Sequence, residues 1–131
     1  MQNSKIKMQN CNSKFKVDIK KKTFDFSLSV IALTNELPNK RSAWIITDQL
    51  IRSATSIGAN IVEARSSSSR LEFKKFFEIS LKSANESKYW LELLKETCLS
   101  DKEKIDKLII ELIEISNILA KSVLSLKKKS F

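Results

Sequence analysis

A chain of 131 residues with a single Gly (Gly58) and a single Pro (Pro38) has few residues suited to tight turns. Turns draw on Gly and Pro for backbone conformations other residues adopt at a cost, so their scarcity means few turns and long segments. A chain of this length is one domain, and long segments with rare turns make it all-α. One Gly also excludes a Gly-rich phosphate loop or dinucleotide fingerprint. The absence of His removes the triads built on it, the usual zinc sites and the commonest general acid/base. Two cysteines, Cys11 and Cys98, are too few for a disulfide scaffold and too distant for C-x-x-C chemistry. No metal, cofactor or enzymatic activity is expected.

The net charge of +9 is unevenly placed. Residues 1–22 carry seven Lys against Asp18, and residues 127–129 are three Lys, while residues 23–126 balance 14 basic against 14 acidic side chains. This predicts a flexible Lys-rich tail over 1–22, a bundle over 23–126 and a basic tail over 127–131, because a polar, Lys-rich stretch buries too little surface to offset its ordering. No apolar h-region follows the first Lys residues, and no run of about 18 apolar residues occurs, so neither a signal peptide nor a membrane span is expected. Free cysteines without an export signal predict a cytoplasmic protein. The Lys tails serve either solubility or phosphate binding through counterion release.

Apolar periodicity divides the body into four helices. Phe26, Val30, Leu33 and Leu37 share one face over about 23–37, and Pro38 ends that segment. A second helix is expected from about Ala43 to Arg65 with Ser42 as N-cap. Its core stripe is Ile46, Leu50, Ala54, Ile57, Ile61 and Ala64. A second stripe holds Trp44, Ile51, Gly58 and Val62, and a polar stripe holds Gln49, Arg52, Ser56, Asn60 and Glu63. Ser69 and Glu72 form a capping box for a third helix, Arg70 to about Thr97. The centre of its stripe is small (Ser80, Ala84, Ser87), and Phe76, Ile79, Trp90 and Leu93 flank it. Ser100 and Glu103 form a second capping box, before a fourth helix over about 101–126 with a seam of Ile105, Leu108, Leu112, Ile115, Leu119 and Leu126. Ile110, Ile113 and Ile118 fall outside that seam. Short connections between four amphipathic helices predict an antiparallel up-down-up-down four-helix bundle. The surplus apolar residues Trp44, Ile51, Val62, Trp90 and Leu93 predict a homo-oligomer interface.

Two sets of polar residues stand out. Gln49, Arg52, Asn60 and Glu63, with Glu86 on the third helix as the expected partner of Arg52, read as a buried hydrogen-bond network that fixes register, or as a ligand site. Paired carboxylates (Glu63 with Glu86 or Glu72) lack the His of a di-iron bundle. Arg65, Arg70, Lys74 and Lys75 cluster around the Ser66–Ser69 loop. With Lys20, Lys21, Lys22, Lys127, Lys128 and Lys129 they form either a solvated bundle end or a set of phosphate contacts. Trp44, Tyr89 and Trp90 are core or interface residues, or else stack on bases.

The second and third helices resemble a known family. The matching stretches are DQLIRSA (48–54), SIGANIVEA (56–64), EFKKFF (72–77) and KSANESKYWL (82–91). They are similar to the motifs Q-x-x-R-A-A-x-S-I-x-x-N-I-A-E-G, K-E-F-x-x-F-L-x-I-A and G-S-x-x-E of four-helix-bundle proteins encoded in intervening sequences of 23S rRNA genes. Ala64 and Lys82 replace glycines of that pattern, and Cys98-Leu99-Ser100 stands where the family has Gly-Tyr. The resemblance implies a bundle assembling into a ring, with pentamers the known form, and no known catalysis. A related branch, the accessory variability determinant of diversity-generating retroelements, implies nucleic acid and a reverse transcriptase as partners. Residues and resemblance together predict a non-enzymatic oligomer that binds RNA or DNA electrostatically, or alternatively a protein-interaction adaptor without direct nucleic-acid binding.

Overall fold

The structure, a computed structural model, describes residues 17–97 and 101–128. Four helices account for nearly all of them: α1 (Ile19–Asn35), α2 (Arg41–Arg65), α3 (Arg70–Glu96) and α4 (Lys102–Lys128). Each packs on its two neighbours around a square, and α2 and α3 share the most extensive contact. This is the antiparallel up-down-up-down bundle that the periodicity predicts.

The helix starts follow from local hydrogen bonding. Asp18 accepts from the Lys21 amide and caps α1. That cap moves the helix start four residues ahead of the expected position, so Lys20, Lys21 and Lys22 belong to α1 and not to a tail. The N-cap expected at Ser42 is likewise displaced: α2 begins at Arg41, Ser42 lies inside it, and the capping position falls to Lys40, whose side chain makes no cap bond. At α3 the expected cap forms, with Ser69 Oγ accepting from the Glu72 amide at 3.1 Å. The reciprocal half of the box differs, because the Glu72 carboxylate accepts from the Ser68 hydroxyl at 3.2 Å. At α4 the Glu103 amide is taken by Asp101 at 2.9 Å. Cys98, Ser100 and Lys129 lie outside the described residues, as do residues 1–16 of the expected N-terminal tail. Ser69→Ala removes a side-chain acceptor at an exposed helix start, and it is expected to cost about 1 kcal/mol in a denaturant titration.

The core is continuous from end to end, with Leu50, Ile57, Ile61, Leu91, Leu94, Ile105, Leu112, Ile115 and Leu119 wholly buried. Two devices set helix spacing. Between α2 and α3 the small side chains of Ser53, Ala54, Ser80, Ala84 and Ser87 are buried. Ser87 donates to Ser53 at 2.9 Å and Ser80 to the Ile57 carbonyl at 2.8 Å, so close approach leaves these hydroxyls satisfied. Between α1 and α2, Gly58 lies against Thr23, where an added Cβ would come to 3.2 Å from the Thr23 hydroxyl. Gly58→Leu therefore pushes α1 off α2, and a loss of about 1–3 kcal/mol is expected by thermal or urea unfolding.

Ion pairs tie α4 to its neighbours: Lys22–Glu114 at 2.9 Å, Lys104–Glu36 at 2.8 Å and Lys95–Asp106 at 2.6 Å. Hydrogen bonds that the ammonium groups of Lys95 and Lys104 donate to Asp106 and Glu36 hold them above the ordinary Lys value of 10.5. A raised folded-state value stabilises below the unfolded one and is lost as pH rises through it. These pairs are thus intact at neutral pH and fade only in alkali. They are exposed enough for salt to screen them, so Lys104→Ala is expected to leave the urea midpoint nearly unchanged.

Candidate nucleic-acid interface

Up-down-up-down topology brings the start of α1, the end of α2, the start of α3 and the end of α4 to one end of the bundle. The candidate phosphate-binding residues of the sequence are on just these segments. Lys20 and Lys21 open α1, Arg65 closes α2, Arg70, Lys74 and Lys75 open α3, and Lys127 and Lys128 close α4. Lys82 and Lys121 lie in the same half. Against these the half has Asp18, Asp25, Glu63, Glu72 and Glu78. The opposite half reverses the balance, with Glu36, Asp48, Glu86, Glu92, Glu96, Asp101, Glu103, Asp106 and Glu111 slightly outnumbering its Lys and Arg, while Glu114, midway along α4, is taken by Lys22. A body whose charges cancel along the sequence is therefore polarised in space, basic at one end and mildly acidic at the other.

The basic end differs in detail from the sequence expectation. Lys20, Arg65, Arg70, Lys75, Lys127 and Lys128 are exposed. Lys21 is exposed but pairs with Asp25 at 2.7 Å, a hydrogen bond that raises its pKa. Lys22 is turned to Glu114 and is largely committed to holding α1 on α4. Lys74 is half-buried. Arg65 and Arg70 flank a shallow depression formed with Ala64, Ser67, Ser68, Ser69, Phe73 and Leu126. It lies beside the start of α3, where the helix dipole adds to the positive potential.

The polar stripe is not the buried network it resembles on paper. Arg52 and Glu63 are exposed, and Gln49 and Asn60 are half-buried. Asn60 bonds within its own helix, to the Ser56 carbonyl at 2.7 Å. Glu86 accepts from the Trp90 indole at 3.0 Å, and among the described residues it makes no bond to Arg52. The buried bonds that fix the α2–α3 register come from Ser53, Ser80 and Ser87 instead. Stripe residues lie on the outer flank of α2, too far around the helix to enter the core. The described residues hold no cluster of three or more acidic, Cys or His side chains able to hold a metal ion. No helix among them is long and apolar enough to cross a membrane.

The surplus apolar residues fall on two faces. Val62 lines a groove between α1 and α2, on the same stripe as Trp44 and the half-buried Ile51. Trp90 and Leu93 stand elsewhere, on α3. Sequence reading missed the largest contributors on α1: Phe24 is 62% exposed and Leu28 52%, with Ile31 beside them. Val17, Phe24, Leu28 and Ile31 repeat at seven, four and three residues, a signal obscured by reading 17–22 as a tail.

The described residues thus form a four-helix bundle with one basic end and apolar side chains left exposed on its flanks. The model of the 23S rRNA-intervening sequence protein family matches residues 16–121, and the chain belongs to that family. A crystal structure of a protein of unknown function from the S23 ribosomal protein family of Bacteroides thetaiotaomicron is 36% identical to it. That match covers 80% of this chain and 97% of the other, with a TM-score of 0.75. No curated protein matches.

Proposed function

We propose that this protein is a non-enzymatic, self-associating bundle that binds RNA or DNA through its basic end. The observation that carries the reading is the gathering of exposed Lys and Arg from all four helices at one end of the bundle. Contacts of this kind neutralise phosphates and release counterions, so affinity comes without base readout. Self-association multiplies weak contacts, because each additional copy binds at high effective concentration once the first is engaged. A finer version of the reading makes the protein an accessory of a reverse transcriptase, and finding a reverse-transcriptase gene beside its own would support that version over the general one. The apolar flanks favour the second reading, an adaptor that presents them to a protein partner.

Light scattering with a short structured RNA tests the first reading. A complex that forms at low salt and dissolves as salt rises supports it. An oligomer indifferent to RNA at low salt overturns it in favour of the adaptor.

A further inference from the structure

The open groove between α1 and α2, about 710 Å³ in volume, runs up to the basic end of the bundle and changes character along its length. Lys20 stands at its mouth, and Phe24, Ser27 and Ile31 continue the same wall at steps of four, three and four residues. That wall faces α2, because the Ser27 hydroxyl donates to the Ala54 carbonyl. Thr55, Gly58, Ala59 and Val62 form the α2 side. Gly58 faces Thr23 of α1. Arg65 follows Gly58 by seven residues, two turns on the same side of the helix, and so stands just past Val62 beside the mouth.

The mouth is cationic and the interior apolar. Among the described residues Lys20 and Arg65 are exposed and enter no ion pair. The acidic groups near them are engaged: Asp18 accepts from the Lys21 amide, and Asp25 holds the Lys21 ammonium. One turn inside Lys20, about 6 Å along the axis, is Phe24, the most exposed large apolar side chain of the described residues. The hydroxyls of Ser27 and Thr55 both donate to backbone carbonyls, so the walls keep no free donor for reading a base edge. Gly58 adds no side chain to the floor.

We propose that the groove takes an unpaired nucleobase, stacked on Phe24, while the adjoining phosphates of the strand lie against Lys20 and Arg65. The inference rests on the nucleic-acid reading above and specifies the form of nucleic acid: a single strand is bound in preference to a duplex. Within a duplex both faces of each base are covered by its neighbours, so a duplex meets the charges of the basic end and nothing more. A single strand adds a stacked base to the same phosphate contacts, the combination by which aromatic side chains and cationic grooves hold unpaired strands. Every base has a π-face, and with no free donor in the walls the site tolerates any sequence. The charge of the mouth favours this occupant over an apolar protein segment, which gains nothing from two cations.

Fluorescence anisotropy of the full chain at low salt, with a short single strand and with a duplex of the same length, tests the site. Phe24→Ala changes an exposed side chain and is expected to leave the helical circular dichroism intact. It is expected to weaken the single strand by about 10-fold and to leave the duplex within about twofold. The slope of log K against log salt should stay that of the parent, because no phosphate contact is lost. Phe24→Tyr, which keeps the ring, is expected to retain the single-strand affinity. Lys20→Ala is expected to weaken both strands and to flatten the single-strand slope by about 0.7. Equal losses for the two strands in Phe24→Ala, or no loss for either, overturn the site. A smaller particle by light scattering in Phe24→Ala, with single-strand affinity retained, assigns the groove to a second copy and likewise overturns it. A parent chain that binds neither strand at low salt overturns the nucleic-acid reading itself.

Discussion

Replacing Lys20, Arg65, Arg70 and Lys75 together by Ala is expected to lower the affinity for a short RNA by about 100-fold at low salt. The slope of log K against log salt should flatten by about 3, since each lost phosphate contact removes roughly 0.7–0.9 from it. All four side chains are exposed, one on α1, one on α2 and two on α3, and no ion pair among the described residues depends on them. Circular dichroism should therefore be unchanged. The informative control removes the same charge from the other end, through Lys40, Arg41, Lys102 and Lys107. If binding follows overall charge, both variants weaken alike. If it follows the basic end, the control stays within about threefold. Equal losses in the two variants would overturn the assignment of binding to that end.

Stability should be most sensitive where the core is fully closed. Leu112 has no exposed surface and sits in the continuous core, so Leu112→Ala leaves a cavity and is expected to cost about 2–5 kcal/mol. For a domain of this size that is a fall in Tm of roughly 10–25 °C. Ala84→Leu makes the opposite error. Ala84 lies in the small-residue stripe that lets α2 and α3 approach, and a larger side chain there forces them apart, at about 1–3 kcal/mol or more. Calorimetry of both variants checks these values. An Ala84→Leu protein as stable as the parent would mean that the α2–α3 spacing is not set by these small side chains.

These two sets of predictions draw on different levels of information. The core was legible in the chain because burial follows period: Ile46, Leu50, Ala54, Ile57, Ile61 and Ala64 recur at helical steps, and all of them are buried. Phe26, Val30 and Leu33 behave likewise, as do Ile105 through Leu119 on α4. The Ser69 cap was legible because it joins neighbours three residues apart.

The polar stripe of α2 shows where period stops being sufficient. Periodicity places Gln49, Arg52, Asn60 and Glu63 on one flank, but whether that flank is buried depends on how closely α3 approaches. Small side chains at Ser80, Ala84 and Ser87 bring α3 in beside Ser53, and the stripe stays outside. Residues 20–22 show a second limit. Their Lys-rich composition reads as a tail, yet the Asp18 cap and the buried Ile19 and Thr23 draw them into α1, and Lys22 into an ion pair with Glu114 across the bundle.

The sequence by itself determined four helices, their order, their buried faces and the number of charges, because each of these depends on residues within a few turns of one another. Tertiary structure alone decided where those charges stand relative to one another and which apolar residues stay uncovered. Antiparallel packing folds positions as distant as Lys20, Arg65, Arg70 and Lys128 onto one end, so basic residues scattered along the chain gather at one end of the bundle. The same packing leaves Phe24 and Leu28 on one side and Ile110 and Ile113 on the other, because four helices around one core bury a single face of each.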